Sequence, residues 1–213
     1  QETLDSVESV KAASGKSETE VLYGGLDQQL AKLATSAAKK GKSEAESSDG
    51  ENIGESPEIS KQEEKKAQLA EDSLKIALKQ EIGEGLINID RQEDKVIITV
   101  GSGGAFKSGS ADLTQKAKNI MSKIAEQNKK GRSEILVSGH TDDKPLTFGS
   151  IYRDNWDLAA ARSSSVVQAL SATGKLEPKR MKAISYGETQ PLTSNESAKG
   201  REKNRRIEIE INY

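Results

Sequence analysis

The sequence contains no cysteine and only one histidine, His140. Without cysteine there are neither disulfides nor thiolate metal sites, and a metal site would depend mainly on oxygen ligands. No apolar run approaches the roughly 18–20 residues that a helix needs to span a bilayer. A disulfide-rich scaffold and a cysteine-based zinc site are therefore excluded.

Apolar residues are also scarce, at 33% of the 213 residues, with a mean hydropathy of -0.71. A chain of this composition cannot bury enough surface to be folded throughout. The first 60 residues hold 6 lysines and 12 acidic residues, so their net charge is -6, whereas the rest carries +4 of the whole-chain charge of -2. All eight arginines and six of the seven aromatic residues lie at or after Arg91. The foldable part therefore lies in the last two thirds.

Residues 1–60 combine acidic charge with two weak apolar stripes of helical spacing, Leu4–Val10 and Leu22–Leu33. Stripes this narrow are marginal helices in water unless they pack on a surface. The stretch from residue 39 to residue 60 is rich in serine, glutamate and glycine, which is typical of a flexible linker. We predict a flexible acidic linker over residues 1–60, in which the two stripes form linker helices transiently or against a partner; disorder throughout fits the pattern equally well.

Residues 61–85 are predicted to form an amphipathic helix leading into the folded domain. Ala70, Leu74, Leu78 and Ile82 recur every four residues and so share one side of a helix. Such a stripe packs either on the domain that follows or on the same helix of a second copy.

Residues 86–213 alternate strand and helix patterns. The predicted strands span 95–100, 134–139, 181–187 and 205–213, and the predicted helices 115–127 and 156–172. The last strand has isoleucines on one face and glutamates on the other, which favours a sheet with one buried face. The predicted fold class is α/β (α+β), with the order β-α-β-α-β-β and a small mixed sheet that has helices on one face.

Several kinds of chemistry are disfavoured by the motifs. "GSGGAFKSGS" lacks the G-x-x-x-x-G-K-[ST] pattern, and Phe106 stands where G-x-G-x-x-G requires its last glycine, so nucleotide binding is not predicted. The basic run 199–206 is interrupted by Glu202 in a chain of pI ≈ 5.7, which argues against nucleic acid. No G-x-S-x-G nucleophile turn occurs, so we predict no enzyme.

The segment "GHTDDK" also resembles a metal motif, but a lysine directly after the two aspartates opposes stacking cations there. We predict neither a metal nor another cofactor. His140, at the end of a predicted strand, is interpreted as a structural hydrogen-bonding residue.

A mixed-charge pocket is the interpretation the residues favour for the region around Asp142. Asp142 follows a predicted strand, at the edge where α/β folds place ligands. Asn155 is predicted to cap the next helix, and Arg162 lies two turns later on the same side. A carboxylate and a guanidinium in one cleft suit an amino-acid zwitterion, but a simple Asp142–Arg162 salt bridge fits the pattern equally well.

The same residues carry a resemblance to a known family. "GHTDDKP…YRDNWDLAAARSSSVVQAL" and the closing "KNRRIEIEI" resemble OmpA-like peptidoglycan-binding domains. The "NWDL" form and the long insert after "GHTDD" are more similar to the flagellar stator B subunits, MotB and PomB. The run 74–114 is most similar to the sodium-type PomB form.

The resemblance implies roles for six residues. Asp142 would hold the ammonium group of a meso-diaminopimelate side chain in the peptidoglycan stem peptide, and Arg162 its carboxylate. The remaining positions would line the pocket or assist at its rim: Thr141, Asn155, Phe106 and Arg205.

The implied function is a non-enzymatic peptidoglycan anchor of a flagellar motor stator, through which the cell wall resists torque. The resemblance further implies a periplasmic homodimer, held in the inner membrane by an N-terminal helix that this chain lacks. Its partners would be a stator A subunit (MotA or PomA type) and flagellar basal-body ring proteins. The alternative is an OmpA-like envelope tether, in a lipoprotein or outer-membrane linker unrelated to motility.

Overall fold

The computed structural model describes residues 57–107 and 109–213. The linker predicted for residues 1–60, with both of its apolar stripes, therefore lies outside the described residues, except for residues 57–60, which begin the first helix. None of the helices in the described part of the chain combines the length and apolar character needed to cross a bilayer.

Twelve elements follow one another along the described chain, and strands and helices largely alternate. They are α1 (Pro57–Ala77), α2 (Lys79–Gly83), β1 (Ile87–Gln92), β2 (Lys95–Gly101), α3 (Ser102–Ala105), α4 (Gln115–Asn128), β3 (Glu134–His140), α5 (Asn155–Ala172), a 3-10 turn (Pro178–Arg180), β4 (Met181–Gly187), α6 (Ala198–Asn204) and β5 (Arg206–Asn212).

The strands form one mixed sheet in the order β1-β2-β5-β3-β4. β3 and β4 are parallel, whereas the β1–β2, β2–β5 and β3–β5 pairs are antiparallel. Alternate residues of β2 and β5 are fully buried, and those between them are only half-buried. The helices therefore pack on one face of the sheet, which confirms the predicted fold class.

The sheet has one strand more than the sequence predicted, because β1 was missed. Only Ile87 and Ile89 of its six residues are buried, so the alternating pattern is too short to stand out. The β1–β2 turn is also hard to recognise in the sequence, since the two-residue loop has neither glycine nor asparagine. Glu93 takes the positive φ of 53° that such loops usually assign to those residues.

The amphipathic helix predicted for residues 61–85 is two helices, α1 and α2, and α1 begins four residues earlier than predicted. Its apolar stripe packs on β1, β2 and α4, and Leu74 and Leu78 are fully buried there. Ser73 donates a hydrogen bond of 2.5 Å to Gln127 of α4. Of the two interpretations of the stripe, packing on the following domain is the one observed, and a homodimer stays a prediction.

Candidate functional site

Three of the predicted site residues meet at one end of the sheet because of how β3 and β5 pair. Thr141 and Asp142 directly follow β3, and Arg205 directly precedes β5. The two strands run antiparallel with His140 opposite Arg206, so the end of one strand lies beside the start of the other. Residues 63 positions apart in sequence thereby become neighbours.

Asn155, the first residue of α5, joins this group by a different route from the one predicted. The helix cap is Asp154, whose side chain accepts a hydrogen bond of 2.8 Å from the backbone N–H of Asp157, so the predicted Asn155 cap is wrong by one residue. The Asn155 amide is therefore free to donate to the carbonyls of Asp142 (3.2 Å) and Lys144 (3.1 Å). It holds the loop after β3 against the start of the helix.

The Asp142 carboxylate is buried and has two partners. Its Oδ2 accepts from Nη1 of Arg205 at 2.5 Å, and its Oδ1 accepts from the backbone N–H of Lys144 at 3.1 Å. Thr141 fixes the backbone next to it, donating its N–H to Gly187 of β4 (2.8 Å) and its hydroxyl to the Asp142 carbonyl (2.9 Å). The position of this carboxylate is thus set from three directions.

Arg162 lies on the second turn of α5 and is 7% exposed. Its Nε donates to the carbonyl of Ser110 at 3.1 Å, and its guanidinium carbon lies 5.0 Å from the centroid of the Phe106 ring, a cation–π distance. Among the described residues, no carboxylate lies within 4.0 Å of the guanidinium. The simple Asp142–Arg162 salt bridge is therefore not formed, since Asp142 pairs with Arg205.

The charges of this group nevertheless act on one another. Burial lowers the pKa of Arg162 below its ordinary value, and the positive charge of Arg205 lowers it further, while Tyr152 and Asp142 oppose the shift. One electrostatic environment, with two guanidinium groups and one carboxylate, is therefore shared by five residues: Asp142, Arg162, Arg205, Tyr152 and Phe106.

Two residues that the sequence did not single out complete the surroundings of Arg162. The Tyr152 hydroxyl accepts from the N–H of Ala111 at 3.0 Å, which ties the loop after β3 to the loop after α3. The Ser110 carbonyl accepts from Arg162. Tyr152 could have been predicted, because it is one of only four tyrosines and the only one in that polar loop. Ser110 could not have been predicted, because its backbone makes the contact.

His140 is not the hydrogen-bonding residue that the sequence predicted. It is 1% exposed, and no described residue forms a hydrogen bond with either ring nitrogen. Its ring stacks on Tyr186 at 5.2 Å, and Nε2 lies 3.7 Å from Oε2 of Glu208. Within residues 57–107 and 109–213, no three histidine or acidic side chains are grouped as metal ligands.

With the geometry established, comparison with known proteins gives the family. The sequence matches the OmpA family over residues 105–205, which hold all six predicted site residues. Residues 105–205 form an OmpA-family domain. The matched segment thus begins at the last residue of α3 and ends just before β5.

Motility proteins are among the relatives of this chain. It is 34% identical to Motility protein B of Bacillus subtilis over 120 residues, covering 54% of this chain and 44% of that one. It is 32% identical to Motility protein B of Helicobacter pylori over 130 residues, covering 60% and 49%. The chain spans about half the length of these curated relatives. The finer likeness to sodium-type PomB stays a prediction.

Solved structures share the OmpA-family fold seen here. A MotB-like protein from Desulfovibrio vulgaris superposes with a TM-score of 0.67 at 24% identity, over 72% of this chain and 95% of that one, which shows the fold alone. The cell wall anchor of the T6SS from Pseudomonas aeruginosa gives 0.58 at 30% identity, over 65% and 96%. The periplasmic domain of H. pylori MotB gives 0.54 at 29% identity, over 59% and 81%.

Proposed function

We propose that the OmpA-family domain is a non-enzymatic peptidoglycan anchor of a flagellar motor stator, through which the cell wall resists motor torque. Two relatives are named Motility protein B, and one structural neighbour is a cell wall anchor. On this proposal the domain works in the periplasm as a homodimer, attached to the inner membrane by an N-terminal helix. A stator A subunit and the basal-body rings are its protein partners.

One observation carries the proposed binding chemistry: Arg162 is buried, yet no carboxylate of the described residues pairs with it. A buried charge is costly unless a partner compensates it, so the position calls for an anionic group from a ligand. The Asp142 carboxylate acts on the same guanidinium electrostatically. The diaminopimelate side chain of a stem peptide ends in an ammonium and a carboxylate, which would bind to Asp142 and Arg162 respectively.

The other four residues have supporting roles in this proposal. The Phe106 ring makes a cation–π contact with the Arg162 guanidinium and so supports its position. Thr141 and Asn155 hold the backbone on either side of the Asp142 carboxylate. Arg205, with 41% of its side chain exposed, stands at the rim.

Co-sedimentation with purified sacculi tests the site. Asp142→Asn and Arg162→Ala are each expected to keep the folded spectrum and lose sedimentation with peptidoglycan. Arg162→Ala removes the group that binds the ligand carboxylate, and Asp142→Asn leaves the ligand ammonium beside the uncompensated positive charges of Arg162 and Arg205. Asp143→Asn and Arg153→Ala are the matched controls, because both residues are exposed and lie in the same loop. The site assignment is wrong if folded Asp142 and Arg162 variants sediment as well as the two controls do.

The envelope-tether alternative has one structural neighbour in its favour, the cell wall anchor of the T6SS. It is less well supported because both curated relatives above and the H. pylori MotB domain are motility proteins. Swimming separates the two functions. In a strain that depends on the full-length protein, the Arg162→Ala change should abolish swimming while the envelope stays intact. Normal swimming together with a weakened envelope would favour the tether.

A further inference from the structure

The Asp142 carboxylate already has a cationic partner within the protein. Arg205 donates to it at 2.5 Å, and a backbone N–H occupies its other oxygen. The Arg162 guanidinium, by contrast, contacts a neutral carbonyl and an aromatic ring, and it has no anionic partner within the described part of the chain. The free site is therefore unbalanced: its negative group is neutralised and its buried positive group is not.

This imbalance changes what each end of a zwitterionic ligand gains on binding. A ligand carboxylate at Arg162 forms a charge-assisted hydrogen bond that the free protein lacks. A ligand ammonium at Asp142 competes with Arg205 for a carboxylate that is already paired, so it gains little on binding there. The zwitterion that the sequence suggested is thus bound mainly through its anionic end.

The structure allows Arg205 to be displaced without disturbing the fold. Its backbone is fixed, because its N–H donates to Arg201 at 3.0 Å and its carbonyl accepts from Ser102 at 2.9 Å. Its side chain is 41% exposed, and Asp142 is its polar partner among the described residues. The next residue, Arg206, differs in every respect: it is 3% exposed and donates to Glu208 and to the Gln190 carbonyl.

We propose that Arg205 is a placeholder for the ligand ammonium: it neutralises Asp142 in the free domain and thereby places selectivity on the ligand carboxylate at Arg162. Arg205 is thus a specificity-determining residue of the site and more than a rim contact. This inference rests on the proposed peptidoglycan function and specifies which chemical group of the stem peptide is selected.

Three soluble stem tripeptides test the proposal, and they differ only in the last residue. One ends in meso-diaminopimelate, one in lysine, which lacks the side-chain carboxylate, and one in 2-aminopimelate, which lacks the side-chain amine. For the wild-type domain, calorimetric titration should give a dissociation constant for the lysine form at least about tenfold weaker than for the diaminopimelate form. The 2-aminopimelate form should bind within about threefold of the diaminopimelate form.

In the Arg205→Gln variant, the 2-aminopimelate form should no longer bind nearly as well as the diaminopimelate form. With Arg205 gone, the Asp142 carboxylate is buried without a cation, so the ligand amine becomes its partner. The 2-aminopimelate form should then bind at least about tenfold more weakly than the diaminopimelate form. Arg153→Gln, an exposed arginine in the neighbouring loop, is the matched control and should keep the wild-type pattern.

Different results would contradict the proposed function and the placeholder role of Arg205. If wild-type protein binds neither sacculi nor any tripeptide, the proposed function is wrong. If it binds sacculi and the diaminopimelate tripeptide, but Arg205→Gln leaves the preference for the amine unchanged, the placeholder role is overturned. A wild-type domain that already discriminates tenfold against 2-aminopimelate overturns it as well. A uniform loss for all three peptides in Arg205→Gln would make Arg205 an ordinary contact.

Discussion

Gly139 of β3 lies so close to Ala159 of α5 that a Cβ atom on Gly139 would sit 2.3 Å from the Ala159 carbonyl oxygen. Real Cβ atoms do not approach backbone oxygen at that distance, so only glycine permits this packing. The contact sets the height of α5 over the sheet. Because Arg162 lies one turn beyond Ala159, it also sets where the guanidinium meets Phe106.

The Gly139→Ala substitution should therefore destabilise the domain. Backbone atoms of α5 must move to admit the methyl group, and overpacking of this kind costs about 1–3 kcal/mol. Urea unfolding followed by circular dichroism measures the loss. Gly103→Ala is the control, since a Cβ at Gly103 meets nothing within 4 Å. Equal stabilities of the two variants would contradict the close approach.

Asn155→Ala should weaken peptidoglycan binding and stability together. Its amide bridges two carbonyls of the loop that carries Asp142, and losing such hydrogen bonds costs about 1 kcal/mol each. Asp154→Ala removes the helix cap instead, at a similar cost of about 1 kcal/mol. Unfolding and sacculus sedimentation, measured on both variants, separate the two effects. If Asp154→Ala lost as much binding as Asn155→Ala, the Asn155 bridge would have no specific part in the site.

The sequence predicted much of this site because its information is local. Asp142 follows a strand, and Asn155 and Arg162 are seven residues apart on one helix, so spacing alone places them together. The family resemblance implied that Phe106 lines the pocket, and Phe106 is buried beneath Arg162. These four positions could be assigned without knowing how the strands pair.

What the sequence could not reveal depends on strand order. Asp142 pairs with Arg205 and not with Arg162 because β5 lies between β2 and β3, and no local pattern specifies that order. Of the two alternatives that the sequence left open, the internal Asp142–Arg162 pair is therefore not formed, and the zwitterion pocket stays a prediction. The cap moved from Asn155 to Asp154 for a related reason. Both residue types are good caps, and the loop contacts of Asn155 decide between them.

Leu74→Ala in α1 should destabilise the isolated domain strongly, because Leu74 is fully buried against the sheet and α4. Removing a buried leucine costs about 2–5 kcal/mol. Ile76 lies on the same helix but is 39% exposed, so Ile76→Ala should lower the free energy of unfolding far less. The loss at Leu74 should not depend on protein concentration in urea unfolding. A loss that vanishes at low concentration would instead assign the stripe to a second copy.

His140 should make the domain less stable in acid. Burial, reinforced by Arg206, lowers its pKa to about 4, with Glu208 opposing, whereas the unfolded chain has the ordinary value of 6.5. The fold thus favours the neutral ring, so the stability it contributes is complete above pH 6.5 and is lost as pH falls towards 4. At 1.36 kcal/mol per pKa unit, the loss amounts to about 3 kcal/mol by pH 4. Urea unfolding at a series of pH values measures it.

The test is clean because His140 is the only histidine. Its ring resonances report one titration by NMR, and they should stay those of the neutral form down to about pH 5. His140→Phe keeps a ring against Tyr186 and removes the proton-binding nitrogens, so it should flatten the pH dependence between 6.5 and 5. Carboxylates titrate mainly below that pH range, so the histidine accounts for most of the change in stability within it. A midpoint near 6.5 in the folded protein, or an unchanged slope in the variant, would show that the buried ring takes up its proton without cost.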